Sequence, residues 1–337
     1  MDPLSEFPDD AIEIIIYNKK IQGSLDFSRF TKLQYLNCNC NYITELNNLP
    51  NTLIDLECFQ NEIIKLDNLP ESLLKLRCGF NKIEELDNLP NSLQILVCHT
   101  NKITKLDNLP NSLQELNCSG NLITELDNLP NTLIRLDCFE NQIISLDNLS
   151  NSLIRLNCSI NKIISLDKLP KTLEVLYCEL NKITQLDNLP ESLIELQCYA
   201  NRITFLDHLP NSLIELCCDL NEIKNLDYLP DKLEILRCSY NKITTLDYLP
   251  DTLQNLYCQK NKLTQLNYLP NSLIELDCSK NKITELNYLP DLLQKLSCYK
   301  NRIKKFTKIP KSLQRLYCDN IIKNKQFKKK YPDIILS

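Results

Sequence analysis

Tryptophan is absent from the sequence, methionine occurs once, histidine twice and glycine three times. So few glycines leave no Gly-rich loop to cradle a phosphate. His99 and His208 stand near no Ser or Cys nucleophile pattern, and no paired acid-base motif occurs, so nothing here points to catalysis. No stretch approaches the roughly 20 apolar residues that a membrane helix needs. The start, Met1-Asp2-Pro3-Leu4-Ser5-Glu6, lacks the basic and long apolar segments of a secretory signal. A non-enzymatic, soluble, cytoplasmic chain without membrane insertion is expected.

What is present is Asn, Ile, Lys and Leu in abundance, a bias like that of an AT-rich genome. The apolar set is 43% and charged residues are 24%, enough for a continuous core under an ordinary soluble surface. The net charge of −5 hides an asymmetry. Residues 300–337 carry twelve Lys or Arg against two Asp, a local +10, which leaves −15 for residues 1–299.

One pattern organises the chain. Leu53-Ile-Asp-Leu56-Glu-Cys58-Phe-Gln-Asn61-Glu-Ile63 reads L-x-x-L-x-C-x-x-N-x-I and returns every twenty residues from Leu33 to Leu293. A segment this short buries its apolar side only by stacking on its own copies. Leu56 and Cys58 alternate with variable neighbours, the period of a half-buried strand whose residues 55, 57 and 59 face outward. The second half, Leu66-Asp67-Asn68-Leu69-Pro70, ends in a proline that excludes a regular helix and favours extended, polyproline-like backbone. Three segments are expected: an N-terminal cap with a degenerate first turn over 1–30, fourteen repeats over 31–310, and a degenerate fifteenth repeat with a basic cap over 311–337. In the cap, Ile14, Ile16 and Ile21 echo the spacing of Leu36, Cys38 and Ile43; the other reading is a short binding motif. At the far end Phe327, Tyr331 and Ile334-Ile335-Leu336 supply an amphipathic lid.

These residues resemble the leucine-rich repeat, specifically its shortest class, found in type-III-secreted bacterial effectors with a similar L-P-x-L-P connection. The resemblance covers residues 31–320. It implies an α/β-class solenoid that is nearly all-β here, a horseshoe with a parallel concave sheet of about fifteen short strands and an extended convex side. Secreted ubiquitin-ligase effectors add a large catalytic domain, whereas 27 residues follow Pro310 here, so no ligase activity is implied. The composition also resembles leucine-rich repeat proteins of large amoeba-infecting DNA viruses.

Three columns invite chemistry. Asparagine stands at every twentieth position from Asn41 to Asn301, including Asn61, Asn101, Asn141, Asn181, Asn221 and Asn261. A buried amide carries donors and an acceptor for the backbone of its own turn and the next, so a structural ladder is expected. Fifteen of the seventeen cysteines, Cys38 to Cys318, share one position. Thiols spaced about 4.8 Å apart along one axis and pointing the same way neither converge on a metal nor face one another for disulfides, so buried reduced fillers are expected. Cys217 falls on the outward face, and with Cys40 is the candidate for a reactive thiol. The ten-member column Asp67 to Asp247 either caps backbone amides in the connection or lines an acidic edge for Ca²⁺; capping is the expectation. No cofactor is called for.

The outward strand positions carry Phe59, His99, Arg135, Phe139, Arg155, Tyr177, Glu195, Tyr199, Glu215, Arg237, Tyr257, Tyr299 and Tyr317. Aromatics beside Arg are what partner surfaces are enriched in. The expectation is a monomeric module that offers its concave face to a protein partner, a host protein if the gene is viral. The alternative is a structural protein that self-assembles through its edges. Tyr228, Tyr248, Tyr268 and Tyr288 form a further row that either covers core or meets another chain. The basic end reads as a solubilising cap rather than a nucleic-acid foot.

Overall fold

The computed structural model describes residues 2–304, 306–319 and 329–336. The chain divides into two compact units, Met1–Ile163 and Ile164–Ser337, each a run of the same turn.

The turn is set by alternation. Leu53 N donates to Pro50 O at 3.0 Å, closing a tight turn, and Ile54 and Asp55 N both donate to Gln34 O of the preceding repeat. The strand then runs only three residues, Asp55–Glu57, with Leu56 fully buried. Cys58 and Ile63 are also fully buried, which closes the core around one repeat. Gln60 sits between them in left-handed backbone at φ 55°. The same conformation recurs at Cys40, Phe80, Thr100, Glu140, Ile160, Leu180, Ala200, Leu220 and onward to Lys300, with glycine used only at Gly120. Along the connection, Asn68, Asn88, Asn108 and Asn128 are also left-handed, a region Asn tolerates well. Pro70 ends the repeat. Among the described residues only Lys329 and Lys330 are helical.

In the N-terminal unit, strands β1 (Glu13–Ile15), β3 (Tyr35–Asn37), β5 (Asp55–Glu57), β6 (Lys75–Arg77), β7 (Ile95–Val97), β8 (Glu115–Asn117), β9 (Arg135–Asp137) and β10 (Arg155–Asn157) pair in parallel in that order. β2 (Gln22–Asp26) and β4 (Tyr42–Asn47) form a separate parallel pair. Ile14 lies opposite Leu36, so the first turn packs as a shortened relative of the rest. Its core is filled by Phe27 and Phe30, fully buried with ring centroids 6.2 Å apart, while Arg29 lies over Phe30.

In the C-terminal unit, β11 (Val175–Tyr177), β12 (Glu195–Gln197), β13 (Glu215–Cys217), β14 (Ile235–Arg237), β15 (Asn255–Tyr257), β16 (Glu275–Asp277), β17 (Lys295–Ser297), β18 (Arg315–Tyr317) and β19 (Ile335–Leu336) pair in parallel. The terminal apolar stretch adds a strand beside β18, with Ile335 exposed. Phe327, expected to belong to the amphipathic lid, lies outside the described residues.

Two ladders of side chains hold successive turns together. Asn61 Nδ2 donates to Cys58 O of its own repeat and to Cys38 O of the preceding one, and its Oδ1 accepts from Ile43 N at 3.0 Å. The same bonds recur at Asn101, Asn141 and Asn261. The amide thus serves its own turn and the preceding one, not the next. A second ladder was not anticipated: the hydroxyls of Thr52, Ser72, Ser92 and Thr132 donate to the carbonyls of Leu33, Leu53, Leu73 and Leu113.

Candidate functional site

The outward face follows from strand parity. At residues 55 and 57 of each repeat a side chain stands beside its counterparts twenty residues away, so neighbours along a column interact. Most are half-buried rather than fully exposed because the columns pack side by side.

In the N-terminal unit the column is charged and paired. Glu57 accepts from Asn37 and Asn39 Nδ2, both at 2.9 Å, and Arg77 reaches Asp55 at 2.8 Å and Glu57 at 3.5 Å. Arg135 lies 3.3 Å from Glu115 and opposite Arg155 in register. Phe59 and His99 belong to one cluster whose third member, Phe80, sequence reasoning missed. The ring centroids are 5.1 Å apart for Phe59 and Phe80, 5.3 Å for Phe80 and His99, and 5.7 Å for Phe59 and His99. Phe80 was overlooked because its left-handed backbone takes it off the two-residue alternation. Gly79 makes room for the cluster: a Cβ there would stand 2.9 Å from His99 Nε2. Burial lowers the His99 pKa. Phe139 is half-buried, with its amide on Asp137 Oδ1 at 3.4 Å.

In the C-terminal unit, Tyr177 donates its hydroxyl to Glu195 at 3.0 Å, and Gln197 Nε2 bridges Glu195 and Glu215, 3.2 Å from each. Tyr199 stands half-buried on the same face; burial first, and then the nearby Glu179 charge, raise its pKa. The Arg237 guanidinium lies 4.5 Å from the Tyr257 ring centroid, Lys280 lies 5.7 Å from that of Tyr299, and Tyr317 is exposed on β18. The arrangement offers fixed aromatic and charged groups on a surface, while the described grooves open on the connection side, one of about 800 Å³ beside Asn47 and Asp67 and one of about 330 Å³ beside Tyr288.

Several expectations need correction. Cys217 is only 5% exposed, covered between Gln197 and Arg237 in register, and burial together with the Asp219 carboxylate pushes its thiol up to about 12. It is not a reactive thiol. Cys40 alone among the seventeen cysteines is not buried. The Asp column does not cap backbone: among the described residues its one side-chain bond is Gln185 to Asp187 at 2.9 Å. No group of three or more His, Cys, Asp or Glu among those residues is placed to hold a metal. Tyr228, Tyr248, Tyr268 and Tyr288 cover no core, being 80–88% exposed. No described helix is long and apolar enough to cross a membrane.

No protein-family profile and no curated protein matches the chain. Solved structures do. YopM, a leucine-rich effector protein from Yersinia pestis, is 32% identical over 92% of this chain and 89% of its own, with a TM-score of 0.83. YopM from Yersinia enterocolitica WA-314 is 31% identical over 89% and 76%, with a TM-score of 0.73. The functional domain of InlJ from Listeria monocytogenes, described as including a cysteine ladder, is 30% identical over 92% and 68%, with a TM-score of 0.74. With the period of twenty, the three-residue parallel strands and the buried Leu, Cys and Asn columns all in place, the chain belongs to the leucine-rich repeat family.

Proposed function

We propose that the chain is a non-enzymatic, intracellular protein-interaction module whose partner docks on the outward face of the sheet, across β11 to β15. The supporting observation is the pre-arranged group on that face: Tyr177, Glu195, Gln197 and Glu215 joined by hydrogen bonds, and Arg237 held against Tyr257. Side chains already ordered lose little rotamer freedom on binding, and Tyr and Arg are the residues that most often anchor interfaces. Membership of a family of stacked repeats, each displaying variable outward positions on an invariant core, supports the same reading. The test is affinity capture with the intact chain beside a variant carrying Ala at Tyr177, Tyr199, Arg237 and Tyr257. Recovery of the captured partner should fall at least about tenfold; equal recovery by the folded variant would rule this face out.

A further inference from the structure

Tyr228, Tyr248, Tyr268 and Tyr288 are 80%, 80%, 83% and 88% exposed, one ring per turn in four successive turns. Nothing local calls for them. Asn48, Asn68, Asn88, Asn108, Asn128 and Asn188 occupy the equivalent position in left-handed backbone, which suits asparagine; Tyr268 sits in the same region at φ 58°, where a bulky side chain is disfavoured. The rings also differ from three other tyrosines of this unit. Tyr240, Tyr257 and Tyr299 each carry a cation from within the chain, Lys260, Arg237 and Lys280 respectively, whereas among the described residues no cation lies over any of the four. The segments 227–232, 247–252, 267–272 and 287–292 that hold them contain five carboxylates, Asp227, Asp231, Asp247, Asp251 and Asp291, against the single Lys232. Asp291 is bridged by Lys308 at 2.9 Å beside the 330 Å³ groove that Tyr288 also lines.

We propose that this row is a second docking surface, separate from the sheet face, for an extended basic segment of a partner protein. Its Arg or Lys cations stack on the tyrosine rings while the intervening carboxylates neutralise them. The rings recur once per turn and match a peptide with cations at regular intervals, while the carboxylates gather beside the first two rings, at Asp227, Asp231, Asp247 and Asp251, where negative charge opposes nucleic acid and anionic membranes.

The probe is a fluorescent Arg-Gly repeat peptide titrated against the full chain. Restoring asparagine at all four positions (Y228N, Y248N, Y268N, Y288N) leaves the fold intact, as judged by an unchanged melt, because earlier repeats carry that residue. Peptide affinity should then fall at least about tenfold. Neutralising the five aspartates to Asn should weaken the dependence of affinity on salt. Peptide binding that is unchanged in the four-fold Asn variant overturns the proposal. So does peptide binding that is lost instead with Ala at Tyr177, Tyr199, Arg237 and Tyr257, which would place the peptide on the sheet face. Failure of the peptide to bind, while a neutral polysaccharide or single-stranded RNA protects the four tyrosines from iodination, overturns it as well.

Discussion

Asn221 and Cys198 are twenty-three residues apart in the chain, yet the side-chain amide of the first donates to the carbonyl of the second at 3.0 Å. The same amide donates to Cys218 and Asp219, and its oxygen accepts from Ile203 N at 2.9 Å. One side chain therefore satisfies backbone from two turns.

Replacing Asn221 by Ala strands several of these buried groups at once, each at about 1–3 kcal/mol. A loss of about 3 kcal/mol or more in urea unfolding is expected. Hydrogen exchange at Ile203 should accelerate well before the chain as a whole unfolds. Asp in its place should do no better, since it accepts but does not donate.

The thiol column makes stability sensitive to alkali. Burial holds Cys38 and Cys78 up to about 12, and raises Cys58, Cys98 and Cys118 as well. The unfolded chain loses these protons near pH 8.5 while the folded chain keeps them. The unfolded state then binds fewer protons, so stability is full below about pH 8.5 and falls as pH rises toward the folded values, by about 1.4 kcal/mol per pH unit for each thiol. A melting temperature that stays level between pH 8 and pH 10.5 would contradict this. In native thiol labelling, Cys40 should react first and Cys217 should not.

Ile160 is a β-branched residue at φ 52°, with its side chain 42% exposed. Left-handed backbone costs such a residue about 1–2 kcal/mol, more than the entropy that glycine adds to the unfolded chain. Ile160→Gly should therefore leave stability equal or raise it by up to about 1 kcal/mol in denaturant titration, whereas Gly at Leu156, fully inside, should unfold the region.

A methyl group at residue 79 meets the imidazole of His99. Gly79→Ala should push that ring outward, and since partial burial is what lowers its pKa, the NMR titration midpoint of His99 should rise toward the ordinary value near 6.5. An unmoved midpoint would mean the ring yields in another direction.

Much of this molecule was legible in the sequence because burial is periodic. Leu56, Cys58 and Ile63 repeat with their surroundings, and an amide such as Asn61 that recurs beside them has one chemically sensible place to go. The left-handed position before each asparagine was not legible, since a backbone requirement met by Gln60, Phe80, Thr100 and Ile160 leaves no mark in composition, and only Gly120 hints at it. Phe80 was lost from the aromatic cluster for that reason. Cys217 was misread because parity gives the direction of a side chain, while coverage depends on how far Gln197 and Arg237 reach over it. The hydroxyl ladder was hidden by its mixture of Ser and Thr.

Within the main sheet, every pairing from β3 through β5 to β10, and from β11 to β19, joins residues twenty apart, as Leu56 meets Leu76 and Leu316 meets Leu336. A copying slip at the level of the gene that adds or removes one whole repeat restores each ladder and core column across the join. A slip by an odd number of residues turns Leu outward and an outward residue inward. The length of the array is thus free to drift by whole repeats under selection while its cross-section stays fixed, and new outward positions arrive twenty residues at a time for a partner to explore.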